Sequence, residues 1–206
     1  MRTVLLTAFE PFGGQVRNAS LDVARALASS PTFGVRIEVC VLPVVAGACA
    51  EIAWAKVEEV RPDLVLALGQ AGGATHVRLE DRAANLDDFG LPDNAGQVRR
   101  QPIVPDGPDV LSAGVEIERV LVEVRRAGFA VQHSLSAGRY VCNHLYYQLL
   151  HRRLASVPHL GALFVHVPYL TEQVRAGRWM PSLALSEQVA CVRAVMGACL
   201  GCDGAQ

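Results

Sequence analysis

Cys142 stands where a helix-periodic segment, 141–154, is predicted to begin. The unpaired N–H groups and the dipole of a helix N-terminus favour a thiolate at such a position. A thiolate beside an imidazole is the attacking group of a cysteine hydrolase. His166 ends a short apolar run, 162–167, just before Pro168. A histidine at a strand end can reach a neighbouring helix N-terminus and take the thiol proton. Glu80 and Asp81 come soon after the glycine-rich run Gly69-Gln70-Ala71-Gly72-Gly73. A carboxylate there can orient the imidazole and fix its tautomer. Taken singly, each residue has a plainer account: an inert buried thiol, a satisfied core histidine, solvated loop charge.

Other motifs carry less. The glycine-rich run lacks both the G-x-G-x-x-G spacing and the G-K-[ST] of a phosphate-binding loop. Cys199 and Cys202 form a lone C-x-x-C that follows a helix instead of opening one, with no second pair to complete a zinc site. His144 and His151 lie seven apart and share a helix face, but no third metal ligand suggests itself. Ser134 and Ser136 lack the G-x-S-x-G elbow of a serine hydrolase.

The elements that must position these residues follow from hydrophobic period. Runs 3–8, 35–42, 64–68, 129–134 and 162–167 read as strands, and 76–80 can extend again. Segments 19–29, 46–60, 115–127, 141–154 and 182–200 read as helices, the first with Asn18 as N-cap. The continuous apolar run 64–68 suits a central strand covered on both faces. Residues 81–110 are irregular, and prolines at 92, 102, 105 and 108 exclude a long helix there. A loop of that length inside a compact domain is usually functional. Strands separated by helices predict one α/β domain over 1–206, with a mostly parallel twisted sheet and helices on both faces. In such sheets ligands bind beyond the carboxyl ends of the strands. Segments 8–14, 69–73, 136–143 and 166–169 are all predicted to lie there.

Composition narrows the function classes. The 206 residues are 51% hydrophobic and 19% charged, against about 25% charged in ordinary domains. That excludes a disordered chain and predicts a large core, with some apolar surface covered between subunits. Lys and Arg number 19 and Asp and Glu 20, a net charge of −1. With no polybasic run interleaved with aromatics, nucleic acid is not an expected partner. No apolar run reaches the roughly 18 residues of a membrane span, and Met1–Thr7 reads as a first strand, not a leader. The expectation is a cytoplasmic protein whose six cysteines are mostly thiols.

Taken together, these segments make the chain resemble the type I pyroglutamyl peptidases, or pyrrolidone-carboxylate peptidases, over nearly its whole length. The resemblance is carried by Leu6–Gly14 with Asn18 and Ser20, by Gly69–Gly73 with Glu80, Asn85 and Pro92-Asp93-Asn94, by Ser136–Gly138 and Val141-Cys142-Asn143, and by His166-Val167-Pro168-Tyr169. It implies a cytosolic cysteine peptidase, commonly a homotetramer, that acts on pyroglutamyl peptides through a Glu80–Cys142–His166 triad and without metal or cofactor. It further implies that Phe9, Phe12, Gln70, Leu91, Tyr140 and Val141 line a lactam pocket, with Asn18 supporting its loop.

The chain departs from the family pattern at Gly90, where an arginine usually precedes the Leu91-Pro92-Asp93-Asn94 segment, and at Asp81, where Glu80 is usually followed by arginine. Two readings stay open: Arg139, or failing that Arg82, returns a guanidinium to the site, or Arg139 points to solvent and the Cys142 N–H suffices. Gly90 also keeps open a second reading, a protein of the same fold that holds a lactam or peptide end without cutting it.

Overall fold

The chain opens with β1 (Arg2–Phe9), whose last six residues are buried. Next come α1 (Ala19–Ala28), β2 (Val35–Leu42), α2 (Ala48–Val60) and β3 (Leu64–Gln70), the last buried throughout. β4 (Val77–Glu80) leads into four short strands, β5 (Arg82–Ala84), β6 (Asp87–Asp88), β7 (Arg100–Gln101) and β8 (Val110–Ser112). α3 (Ile117–Arg126), β9 (Val131–Ser134), α4 (Val141–Ser156) and β10 (Gly161–Val167) follow. β11 (Tyr169–Leu170), a 3₁₀ turn (Thr171–Gln173), β12 (Ser182–Leu183) and α5 (Leu185–Leu200) complete the order. These elements belong to a computed structural model that describes residues 1–30, 34–174 and 180–201. Cys202 of the C-x-x-C pair lies outside the described residues.

The central sheet has the order β2-β1-β3-β10-β4-β9. α1, α3 and α5 cover one face, packing Leu27, Val120, Val124, Val192 and Val195 against Leu6, Leu66, Val165 and Val167. α2 and α4 cover the other, packing Ala53, Trp54, Leu145, Tyr146 and Leu149 against Leu5, Val65, Ala67 and Phe164. Each fully buried large aliphatic side chain contributes about 1.5–3 kcal/mol, so the alternation along β3 and β10 locks both layers to one register. This is the expected α/β architecture, a mostly parallel sheet with helices on both faces. Among the described residues no helix is long and apolar enough to cross a membrane.

Two expectations need correction. β4 runs antiparallel to β10, with Glu80 opposite Phe164 and Arg78 opposite His166. The link from β3 to β4 is six residues, Ala71–His76, too short for a parallel crossover. β9 pairs parallel to β4, with Ser134 beside Glu80, so it too runs against β3 and β10. The carboxyl end of β9 therefore does not open on the His166 end of the sheet. The chain must turn back over 135–140, through Gly138 at φ +82°, to bring Cys142 to that end.

The second correction concerns length. The closing helix begins at Leu185, not at 182, because Ser182 and Leu183 pair with Tyr169 and Leu170. The irregular stretch contains two small antiparallel ribbons, β5 with β8 and β6 with β7.

Candidate active site

Glu80, Cys142 and His166 meet on the α2/α4 face of the sheet. Alternation along β10 puts Ala162, Phe164 and His166 on that face. Glu80 sits across from Phe164, one diagonal step from His166, a separation that a long side chain spans. Its Oε1 accepts a hydrogen bond from His166 Nδ1 at 2.8 Å. Both side chains are buried, Glu80 to 1% and His166 to 8% relative exposure. The carboxylate fixes the hydrogen on Nδ1, which leaves Nε2 free to take a proton from Cys142, whose side chain is near enough to raise His166. Tyr146, wholly buried on α4, donates to the Glu80 backbone carbonyl at 3.0 Å and clamps the strand from above.

Cys142 is the second residue of α4, whose N-cap, Tyr140, supplies no side-chain acceptor. The first N–H groups of that helix remain open to an anion. The strand beneath is stripped to make room. A Cβ on Gly69 would lie 2.8 Å from two ring carbons of the buried Phe164 and 3.1 Å from Cys142 Sγ. Asn143 anchors the same helix start to the irregular stretch: Oδ1 accepts from Ala84 N at 2.9 Å, and Nδ2 donates to the carbonyls of Ala84 and Leu86 at 2.9 and 3.1 Å.

Burial opposes a charge on the His166 imidazole. The hydrogen bonds and the negative charges of Cys142 and Glu80 outweigh it and hold the group up to about 9. The arrangement therefore favours the imidazolium form of His166 through neutral pH. The other cysteines differ. Burial pushes the thiols of Cys191 and Cys199 up to about 12 and raises those of Cys40 and Cys49.

A cleft beside Cys142 is lined by Phe9, Phe12, Asn18, Val44, Gln70, Tyr140 and Val141. Six of the seven binding candidates thus surround it. Leu91, 49% exposed, is not among the lining side chains. It rides on a loop tied to the cleft on either side: Tyr140 Oη donates to the Pro92 carbonyl at 2.9 Å, and its ring stands edge-on to Phe89 at 4.8 Å. Asp93 then accepts from the N–H groups of Ala46, Ala95 and Gln97, and Asn94 donates to Glu10 and to the Pro11 carbonyl. Asn18 caps α1 through Ser20 N at 3.1 Å and donates to the Glu10 carbonyl at 3.0 Å, so its polar atoms hold the loop after β1.

Val44 lines the cleft without having been singled out in the sequence, because an isolated valine in a loop carries no chemical signal. Asp93 and Asn94 were visible only through the resemblance. His144 is buried between Asp87, 2.9 Å from Nδ1, and the Gly47 N–H, which donates to Nε2 at 3.0 Å. His144 is thus part of the framework beneath the site. Among the described residues no group of three or more His, Cys, Asp or Glu side chains could hold a metal ion.

The two candidate arginines are engaged elsewhere. Arg139 Nη1 lies 3.3 Å from Asp88, with 60% of its side chain exposed. Arg82 lies 3.6 Å from Asp81, and half of its side chain is exposed. Neither lines the cleft.

A family model for pyroglutamyl peptidase matches residues 2–201. The chain belongs to the pyroglutamyl peptidase family. It is 39% identical over 198 residues to a pyrrolidone-carboxylate peptidase of Levilactobacillus brevis, covering 94% of this chain and 97% of that one. It is 40% identical to one of Chromobacterium violaceum, over 94% and 90% of the two chains. The crystal structure of pyroglutamyl peptidase I from Bacillus amyloliquefaciens superposes with a TM-score of 0.92 at 30% identity, over 98% of each chain. Membership in this peptidase family agrees with a cleft lined by a cysteine and two phenylalanines.

Proposed function

We propose that residues 1–206 act as one catalytic domain that removes an N-terminal pyroglutamyl residue from peptides through an acyl-enzyme on Cys142. The observation that most supports this reading is the His166 imidazole held between Glu80 and Cys142, at the open start of α4 and beside an apolar cleft. Cys142 Sγ attacks the exocyclic carbonyl carbon of the pyroglutamyl residue. The oxyanion accepts from the Cys142 backbone N–H at the helix start. His166 Nε2 then protonates the leaving amine as the C–N bond breaks. A water molecule, losing its proton to His166, hydrolyses the thioester and releases pyroglutamate. Glu80 keeps the ring in place. The lactam lies between Phe9 and Phe12, and a neutral ring of that kind suits a mostly apolar slot with a few fixed polar groups.

Purified protein should release 7-amino-4-methylcoumarin from its pyroglutamyl amide. Binding of the amide without release would favour the non-catalytic reading that Gly90 keeps open. The five described cysteines are free thiols, which supports a cytoplasmic setting. The homotetramer implied by the resemblance should appear in light scattering at micromolar concentration, and a monomer there would refute it.

The Glu80–His166 pair gives a pH prediction. His166 stands above its ordinary value of 6.5, at about 9, so the imidazolium form is complete below the ordinary value and lost as pH rises through about 9. Activity should fall on that alkaline side. Glu80→Gln removes one of the two groups that raise His166. Its alkaline limb should move to lower pH, and kcat should drop roughly a hundredfold or more. An unmoved limb would exclude Glu80 as the orienting group.

Gly90 gives a second prediction. Its φ is not in the left-handed region, and a Cβ there would meet nothing within 4 Å. Gly90→Arg should therefore fold normally. If a guanidinium reaches the developing oxyanion from that loop, kcat rises by a factor corresponding to as much as about 3 kcal/mol. Arg139→Ala, which only frees Asp88, should change kcat less than about threefold. A sharp loss in Arg139→Ala would reinstate the compensating role.

A further inference from the structure

Three consecutive side chains at the start of α4 have different partners. Cys142 lines the cleft, Asn143 bonds the backbone of Ala84 and Leu86, and His144 is 3% exposed and held at both ring nitrogens. Its Nδ1 lies 2.9 and 3.1 Å from the two oxygens of the wholly buried Asp87, and its Nε2 accepts from the Gly47 N–H at 3.0 Å. A backbone N–H can only donate, so Nε2 is bare and the hydrogen sits on Nδ1. Gly47 is the N-cap of α2, at φ +82°, and has no side chain of its own to close that helix end. It finishes a corner, 44–47, whose Val44 lines the cleft. Among the described residues, the bond from Gly47 to His144 is the one hydrogen bond between this corner and α4. The corner's other long-range bonds run to the loop after β6. Ala46 N donates to Asp93 at 3.2 Å, the Val44 carbonyl accepts from Asn94 N at 2.9 Å, and the Ala46 carbonyl accepts from Arg99 Nη2 at 3.3 Å. Arg99 Nη1 in turn lies 3.9 Å from Asp87, so the contacts close a ring from α4 through the β6/β7 ribbon and back to the corner.

We propose that His144 is a positioning residue that sets the separation of Cys142 and Val44 across the cleft, through its bond to the Gly47 N–H. This rests on reading the cleft as the place where the pyroglutamyl ring binds. His144 touches neither the substrate nor the reacting atoms. It stands two residues from Cys142, and it is bonded to a glycine three residues from Val44. A shift of Gly47 away from α4 carries Val44 with it and loosens the fit around a bound ring. Cys142, His166 and Glu80 are held by α4, β10 and β4 and stay in place, so the effect falls on binding and not on the chemical step. The two bonds of His144 do separate jobs. The one to Asp87 keeps a buried carboxylate partnered, which is a matter of stability. The one to Gly47 fixes the cleft wall.

Two variants separate those jobs. His144→Asn can place its amide nitrogen where Nδ1 stands, which keeps a donor for Asp87 and drops the acceptor for Gly47. His144→Gln can place its amide oxygen where Nε2 stands, which keeps Gly47 bonded and leaves Asp87 only the more distant Arg99. The test measures KM and kcat for the pyroglutamyl coumarin amide, the affinity of 2-pyrrolidone by titration calorimetry, Tm, and hydrogen exchange of the Gly47 N–H by NMR, in the parent and both variants. His144→Asn should raise KM and the 2-pyrrolidone Kd about tenfold, with kcat changed less than about threefold and faster exchange at Gly47. His144→Gln should keep KM within about threefold of the parent yet have the lower Tm of the two, because a buried carboxylate has lost its donor. A merely structural role would make KM follow Tm, so that His144→Gln is the worse variant on both. If one variant fails to fold, the other decides. An unchanged KM in His144→Asn, unchanged exchange at its Gly47, or a tenfold rise of KM in His144→Gln would overturn the proposal. Failure of both to fold would assign His144 to stability alone and overturn it too. Absence of turnover in the parent would instead overturn the peptidase reading, while the 2-pyrrolidone affinities and the Gly47 exchange would still decide the role of His144.

Discussion

Cys142→Ser should lower turnover of a pyroglutamyl amide by at least about a thousandfold while leaving the fold intact. A serine hydroxyl fits the space above Gly69, which already accommodates the larger sulfur, so packing is preserved. What is lost is acidity. The hydroxyl does not ionise beside His166 as a thiol can, and the imidazole then keeps only Glu80 as a negative partner. In this variant the His166 titration, followed by NMR, should fall below the value of about 9 that the intact pair sustains. Alkylation provides an independent measure. Cys142 is half-buried, whereas Cys40, Cys49 and Cys191 are buried and burial raises their thiols. Cys199 is half-buried, yet its thiol is pushed up to about 12. Iodoacetamide at neutral pH should therefore inactivate in step with the label on the peptide holding Cys142. Inactivation that tracks any other cysteine would remove Cys142 from the nucleophile's role.

Cys142 and His166 were legible as candidates because each sits at the end of a longer predicted element, and Glu80 because it follows the glycine-rich run. β3 and β10 are continuous apolar runs, and a segment of helical length free of Gly and Pro follows Tyr140, so the helix start and the strand end stand out. The direction of β4 and β9 was not legible. Direction depends on the length of the link from Gln70 to Val77 and on β10 entering between β3 and β4, and neither affects the residue pattern of β4. The two ribbons at 82–112 escaped because strands of two or three residues have no measurable period. What holds them is long-range: Asn143 on Ala84 and Leu86, and Asn85 on Val104 and Gly107. The choice between the two readings of Arg139 was not legible for a related reason. Nearness to Cys142 in sequence says little about aim when the partner, Asp88, comes from a ribbon fifty-one residues away. Leu91 and Val44 show the same limit, since cleft lining is decided by which loops Asp93 and Asn94 fasten together.

Prolyl amides should be cut at least about ten-thousandfold less efficiently than pyroglutamyl amides, measured as kcat/KM. The two rings differ in one carbonyl and in the state of the nitrogen. The lactam nitrogen is a neutral amide, whereas the prolyl nitrogen is an ammonium at neutral pH. None of the side chains lining the cleft beside Cys142 is a carboxylate, and the polar atoms of Asn18 are already bonded to Glu10 and Ser20. An ammonium entering that slot would lose its water and gain no counter-charge. The missing carbonyl adds a second penalty, because the polar groups of the slot that would pair with it are left without a partner. A cyclopentanecarbonyl amide separates the two effects. It is neutral and of similar shape but lacks the ring N–H as well as the ring carbonyl, so it should suffer only the loss of the ring's hydrogen bonds and fall between the other substrates, about a hundredfold below the lactam. If the prolyl and cyclopentanecarbonyl amides are cut equally well, charge plays no part in exclusion. If all three are cut at similar rates, the cleft of Phe9, Phe12 and Gln70 does not bind the lactam.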